Sequence, residues 1–251
     1  TRFVVGKNAA LYAVSPNGSV EGALQSPNQK VYWGAGNCQS ARIKNPQESL
    51  ALSWIHSGNV VQFVGYTLDT WHGFIGWNLR HALLSSERPP LAEALTQTFI
   101  ATEHERQRLE AYRQQHRLPM SDHEFGKAYD QAAVTLYGKS SLDVRVGKEN
   151  ATPLFEKSLT STKKGDTTHY TCTLKTLRDE TYIQAPVVYL IPQSPSAKRV
   201  VRSSPDLDYK IIDNAVIFNT SDVITEQGAP KLKPRALPKD LEWTLELEAR
   251  K

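Results

Sequence analysis

Two thiols and seven imidazoles are the groups in this chain best suited to covalent or proton-transfer chemistry, and their positions narrow what that chemistry is. Cys38 directly follows Gly36-Asn37, between a β-type run and a helix-forming stretch. A thiolate nucleophile needs partial exposure and amide donors close by, and the end of a strand offers both. The same residue type also serves as a small buried hydrophobe, and residue type alone does not separate the two roles. Cys172 lies far along the chain, with no CxxC or Cys/His spacing, so neither a disulfide framework nor a zinc site is indicated. The histidines, His56, His72, His81, His104, His116, His123 and His169, all follow Cys38. Glu103-His104-Glu105-Arg106 lacks the HExxH spacing of a zinc peptidase. Thr1 suggests a different chemistry, a hydroxyl nucleophile whose own α-amine is the base. That needs a sandwich of sheets between helices, and Phe3-Val4-Val5-Gly6 supplies only a short strand.

The elements around Cys38 follow from local pattern. Phe3–Val5 and Ala10–Val14 are short β-type runs followed by the turn signal Ser15-Pro16-Asn17-Gly18. Lys30 to Gly36 is a β-branched and aromatic strand ending in small residues, which puts Cys38 at its C-terminal end. Pro46 opens a helical pattern in which Leu50, Ala51, Trp54 and Ile55 recur at three- and four-residue spacing, and Ser57-Gly58 closes it. Asn59 to Tyr66 is a nearly continuous apolar run, the signature of a strand buried on both faces of a parallel sheet. Strand, helix, strand makes a right-handed βαβ unit. Ligands of open α/β sheets bind beyond the carboxyl ends of strands, so Cys38 and the loop Thr67–Gly73, which carries His72, should meet at one crevice. A charged helix from Pro90 to about Arg117 reads as a surface helix, and a short helix spans Glu124 to Ala133. Beyond Gly147 the texture becomes alternating strands, with a domain boundary near 147–153 and strands at Thr168–Leu177, Ile183–Ile191, Tyr209–Asn219 and Leu241–Ala249.

Composition bounds the partners. With 30 Lys and Arg against 26 Asp and Glu, spread without long blocks, the net charge of +4 lacks the concentrated basic face that nucleic-acid binding demands. No stretch approaches the roughly 20 consecutive apolar residues of a membrane helix. Arg199-Val200-Val201-Arg202 and Lys231-Leu232-Lys233-Pro234-Arg235 are basic and read as solvated loops or processing sites. No acidic loop has the ligand density calcium needs.

The stretch Tyr32-Trp33-Gly34-Ala35-Gly36-Asn37-Cys38, the helix with Ala51-Leu52-Ser53-Trp54-Ile55, and Val64-Gly65-Tyr66-Thr67-Leu68-Asp69-Thr70-Trp71 resemble the catalytic-cysteine region of gingipain-type peptidases of the caspase-like clan. Thr135 to Leu142 is similar to the segment that closes such domains. The resemblance covers roughly residues 1–147. It implies an α/β fold with a caspase-like, parallel-rich sheet flanked by helices, completed by a C-terminal all-β immunoglobulin-like domain over 148–251. It implies a cysteine endopeptidase in which Cys38 attacks a peptide carbonyl and its N–H donates to the oxyanion. Gly36 and Trp71 would line the specificity pocket beside Asn37 and His72, with Asp69 at its rim or base. No cofactor is required. In this clan the catalytic His precedes the Cys, so the implied partner is a separate or preceding N-terminal segment carrying that His, with a protein or peptide as substrate and a secreted or periplasmic setting. The alternative is a binding protein on a scaffold that has lost its dyad, with Trp33, Trp71, Trp77 and Trp243 as contact residues.

Overall fold

The computed structural model describes residues 3–25, 30–34, 36–58, 60–83, 85–139, 153, 155–178, 181–183, 185–191 and 197–250. The chain divides into two units, Thr1–Trp77 with Phe125–Val144, and Asn78–Glu124 with Arg145–Lys251. Thr1 lies outside the described residues, as do Ala35 in the cysteine-bearing stretch and the segment 140–152 that holds Ser140 to Leu142 and most of the expected boundary.

In chain order the first elements are β1 (Phe3–Lys7), β2 (Ala10–Val14), β3 (Val20–Ala23), β4 (Lys30–Trp33), α1 (Leu50–His56), β5 (Val60–Tyr66), α2 (Phe74–Leu83), α3 (Leu91–His116), α4 (Asp122–Ala133) and β6 (Val134–Gly138). In the first unit β1 and β2 form a hairpin whose two turn residues, Asn8 and Ala9, both take positive φ, as a twist-matched two-residue turn requires. The Ser15–Ser19 turn then returns the chain into β3. Ser49 caps α1 by accepting the Leu52 N–H, and α1 packs against β1, β2 and β5. β4 and β5 pair in parallel, and β6 lies antiparallel on the other side of β5. The core here is Ala41, Ala51, Val60 and Phe63, with Tyr32 stacked on Phe63 at 4.1 Å between ring centroids.

The parallel-rich caspase-like sheet is not what forms. Among the described strands β4–β5 is the parallel pair, and the rest pair antiparallel. Parallel neighbours need a crossover of a dozen or more residues, which α1 and its flanks supply between β4 and β5, whereas β6 comes in after α2, α3 and α4 and runs back along β5. The near-continuous burial of β5 arises in a mixed sheet instead.

In the second unit the remaining strands are β7 (Phe155–Lys164), β8 (Thr167–Thr176), β9 (Thr181–Tyr182), β10 (Val187–Leu190), β11 (Ala197–Ser203), β12 (Tyr209–Ile212), β13 (Ala215–Phe218), β14 (Ser221–Glu226), β15 (Ala229–Pro234), β16 (Ala236–Leu237) and β17 (Glu242–Arg250). Two-residue links force antiparallel pairing at β7–β8, β12–β13 and β14–β15, the last through Gln227-Gly228, both at positive φ. A four-stranded sheet runs β11-β17-β8-β7 and a three-stranded one β10-β13-β12. The period of two is plain in the register: Trp243, Leu245 and Leu247 lie opposite Leu174, Cys172 and Tyr170, and all six are buried. An immunoglobulin-like arrangement is not shown either, because the last strand, β17, is central between β8 and β11 rather than at the edge of the other sheet.

α3 packs against β10 and β15, so the expected surface helix has a buried face, continued through Thr98, Thr102 and Glu105. The basic segments are strands, not loops: Arg199–Arg202 lies in β11, Lys231–Pro234 in β15, and Arg235 is paired with Asp222 at 2.7 Å. No helix among the described residues is long and apolar enough to cross a membrane.

One close approach in the first unit sets the position of the cysteine turn. A Cβ on Gly65 of β5 would come within 2.5 Å of Ser40 Oγ and 2.8 Å of the Phe63 ring. Gly65→Ala is therefore expected to lower unfolding free energy by about 1–3 kcal/mol through overpacking, measured by denaturant titration.

Candidate functional site

Past β4 the chain turns sharply, and the turn is bonded to the C-terminal end of β5. Gly34 N–H donates to Val64 O at 2.9 Å, Ala41 N–H to Tyr66 O at 2.9 Å, and Gln39 N–H to Leu68 O at 2.9 Å. Cys38 sits in this turn with an exposed thiol, beyond the ends of both parallel strands. Thr70 meets it from the loop after β5: its N–H donates to Cys38 Sγ at 3.4 Å, and its hydroxyl lies 3.6 Å from the same sulfur. The expected meeting of the cysteine with the Thr67–Gly73 loop is therefore observed.

A second bridge runs alongside. Gln39 Nε2 donates to Asp69 Oδ1 at 2.7 Å, and Arg42 donates to Gln39 Oε1 at 2.8 Å. Gln39 has φ +54°, a left-handed conformation that costs a non-glycine residue energy and persists where surrounding bonds impose it.

The loop is held from below by Asp130 of α4, which is fully buried. Its carboxylate accepts the N–H groups of Trp71 at 2.6 Å, His72 at 3.2 Å and Phe74 at 2.8 Å. These are amides of the loop and of the first residue of α2, where helix geometry leaves donors unsatisfied and a negative charge is favoured. α4 approaches so closely that a Cβ on Gly126 would fall 2.5 Å from Trp71 Cδ1 and 2.8 Å from the Phe74 ring. Trp71 packs edge-on to Phe125 at 4.9 Å and to Tyr129 at 6.3 Å, yet remains 45% exposed. The His72 ring lies 5.3 Å from Phe74 and 6.3 Å from Trp71, both edge-on. Tyr66, buried at the end of β5, accepts the Gly76 N–H at 2.9 Å; burial raises its phenol pKa well above the ordinary value, the Gly76 bond opposes this, and the charge of Asp130 adds to it.

All six residues singled out in sequence, Gly36, Asn37, Cys38, Asp69, Trp71 and His72, are exposed and lie on the cysteine turn or the loop that meets it. Asn37 contributes its carbonyl to the turn, accepting Ser40 N–H at 3.4 Å. Gly36 faces Trp77, whose Nε1 would lie 3.7 Å from a Cβ placed there. Sequence reasoning missed Thr70, Gln39 and Asp130, and named Trp77 only as a contact residue of the binding-protein alternative. Thr70 and Gln39 were within reach, since each adjoins a residue already chosen; Asp130 is 59 residues beyond Trp71 and carries no local signal of the pairing.

Elsewhere the titratable groups have structural surroundings. His56 and His72 are the imidazoles in the unit that holds Cys38. His104 bonds Asn219 Oδ1 at 2.9 Å, and burial lowers its pKa against the opposing pull of that bond. Cys172 is buried in the second unit's core, where desolvation, chiefly, pushes its thiol up to about 12. Two hollows in that unit, about 350 and 460 Å³, share Gln97 and Lys157 in their linings. The Lys157 ammonium is held there by Glu87 at 2.7 Å and Gln97 at 3.2 Å. Among the described residues no group of three or more His, Cys, Asp or Glu is placed to hold a metal ion.

Comparison with known proteins finds no matching family model, no matching curated protein and no matching solved structure.

The two thiols should separate cleanly: under native conditions iodoacetamide should alkylate Cys38 and spare Cys172, which reacts only after unfolding, as mapped by peptide mass. Asp130→Ala strands three amides at once and is expected to destabilise the chain by about 3 kcal/mol, with a change in tryptophan emission as Trp71 loses its support.

Proposed function

We propose that Cys38 is the nucleophile of a cysteine-type endopeptidase. The observation that carries this reading is the exposed Cys38 sulfur at the end of a β-strand, with the Thr70 N–H aimed at it from a loop fixed by a buried carboxylate. The exposed thiol contributes no buried area, so packing does not account for its place on this turn. The resemblance of the Tyr32–Cys38 and Val64–Trp71 segments to gingipain-type peptidases supports the same reading from sequence.

In the proposed reaction the sulfur forms a bond to a peptide carbonyl carbon as a base takes the thiol proton. The carbonyl oxygen becomes an oxyanion bonded by the Cys38 N–H, the neighbouring Gln39, Ser40 and Ala41 amides being committed to the turn. Collapse of this intermediate breaks the C–N bond, the departing amine takes the proton, and a thioester remains. Water then adds to the thioester and releases a carboxylic acid and the free thiol. Gly36, Asn37, Asp69, Trp71 and His72 flank the substrate. The base is an imidazole on a partner segment that adds along the outer edge of β4, which pairs with β5 alone among the described strands.

Cys38→Ala should abolish peptide hydrolysis by the assembled protein while leaving its circular dichroism and melting temperature unchanged. Full activity in a homogeneous Cys38→Ala sample overturns the proposal. His72→Ala should retain activity with a raised KM; loss of kcat equal to that of Cys38→Ala would make His72 the base.

A further inference from the structure

Trp77 has an environment at odds with the rest of its helix. In α2, Ile75, Leu79 and Leu83 are fully buried or nearly so, whereas Trp77 is 50% exposed. An indole is the side chain with the most to gain from burial, and one left in the open is suited to contact with something else. Its backbone is anchored: neighbouring Gly76 is bonded at both ends of the residue, the carbonyl accepting Trp33 Nε1–H at 2.8 Å and the N–H donating to Tyr66 OH at 2.9 Å. Trp33 ends β4 and Tyr66 ends β5, so the strands that place Cys38 also place Trp77.

Between the indole and the cysteine turn stands Gly36, two residues before Cys38. An ideal Cβ there lies 3.7 Å from Trp77 Nε1, which is van der Waals contact; its absence leaves that space open. Asp69, on the loop that meets Cys38, is engaged by Gln39, which Arg42 holds in turn, so an acid and a base are balanced through one amide. Leu68, beside Asp69, is 48% exposed. Exposed apolar and aromatic side chains, Leu68 and Trp77, thus flank the cysteine turn, and the Asp69 charge on its loop is compensated.

Resting on the reading of Cys38 as a nucleophile, we propose that Trp77 and Gly36 form a subsite selecting a large apolar or aromatic side chain on the residue whose carbonyl Cys38 attacks. Burial of such a side chain against the indole favours it over glycine by on the order of 10- to 100-fold in rate.

The test uses peptidyl chloromethyl ketones that differ only in the residue beside the reactive carbon, Phe, Lys or Gly, with the second-order rate of Cys38 alkylation read by mass. The expected result is a Phe:Gly rate ratio of about 10 to 100 and a Lys:Gly ratio near one. Trp77→Ala should bring the Phe:Gly ratio to within a few-fold of unity, and Trp77→Phe should restore most of it. Trp77 is half exposed, so these variants are expected to fold, and equal melting temperatures verify this. A wild-type ratio near one, a Lys preference, or a ratio unmoved by Trp77→Ala overturns the subsite alone. Cys38 that accepts iodoacetamide but none of the peptide reagents overturns the nucleophile reading and the subsite with it.

Discussion

The Asp130 carboxylate collects the N–H groups of Trp71, His72 and Phe74, at 2.6 to 3.2 Å, in a fully buried position. Backbone amides removed from water must find acceptors, and all three of these find one in a single side chain. By accepting all three, Asp130 fixes the descent of the loop from β5 and the start of α2 in one stroke. Thr70 precedes the first of these amides and Trp77 lies just beyond the last, so the donor at the cysteine and the exposed indole both depend on this carboxylate. A charged acceptor is the stronger choice, since hydrogen bonds to ionised groups contribute roughly 1.5–3 kcal/mol against about 1 for neutral ones.

What the sequence disclosed follows the reach of its signals. β4, α1 and β5 were legible because Lys30–Trp33 and Val60–Tyr66 are β-branched and aromatic, and because Leu50, Ala51, Trp54 and Ile55 keep helical spacing. The meeting of Cys38 with its loop followed from that unit, since strand ends in a parallel pair point the same way. α2 passed unread although Ile75, Leu79 and Leu83 recur every four residues; its start at Gly73-Phe74 carries no side-chain cap of its own because Asp130 does that work from afar. β7, β14 and β15 were hidden by composition, their exposed positions being Ser, Thr, Lys, Asp and Glu.

The sheet architecture was misjudged for a different reason. A near-continuous apolar run such as Val60–Tyr66 or Ala215–Phe218 reports burial on both faces, and pairing direction is a separate property that a two-residue link dictates and a long connection leaves open. β13 makes the point: it is buried throughout while antiparallel to both neighbours, because α3 residues such as Ala101 cover the face that the main core does not. Cys172 illustrates the companion lesson. Its partner across the ladder is Leu245, and its thiol is packing, so the two cysteines of this chain occupy the two extremes that cysteine chemistry allows.

The central claim is that the folded turn and loop equip the Cys38 sulfur for attack on a peptide carbonyl. The most direct measurement compares the rate at which Cys38 reacts with one peptidyl acyloxymethyl ketone in the folded chain and in the same chain unfolded in urea, normalised to free cysteine under each condition. The account requires the folded thiol to react faster, because only there are Thr70 and the aromatic surface in place. A folded thiol that reacts no faster than the unfolded one contradicts it.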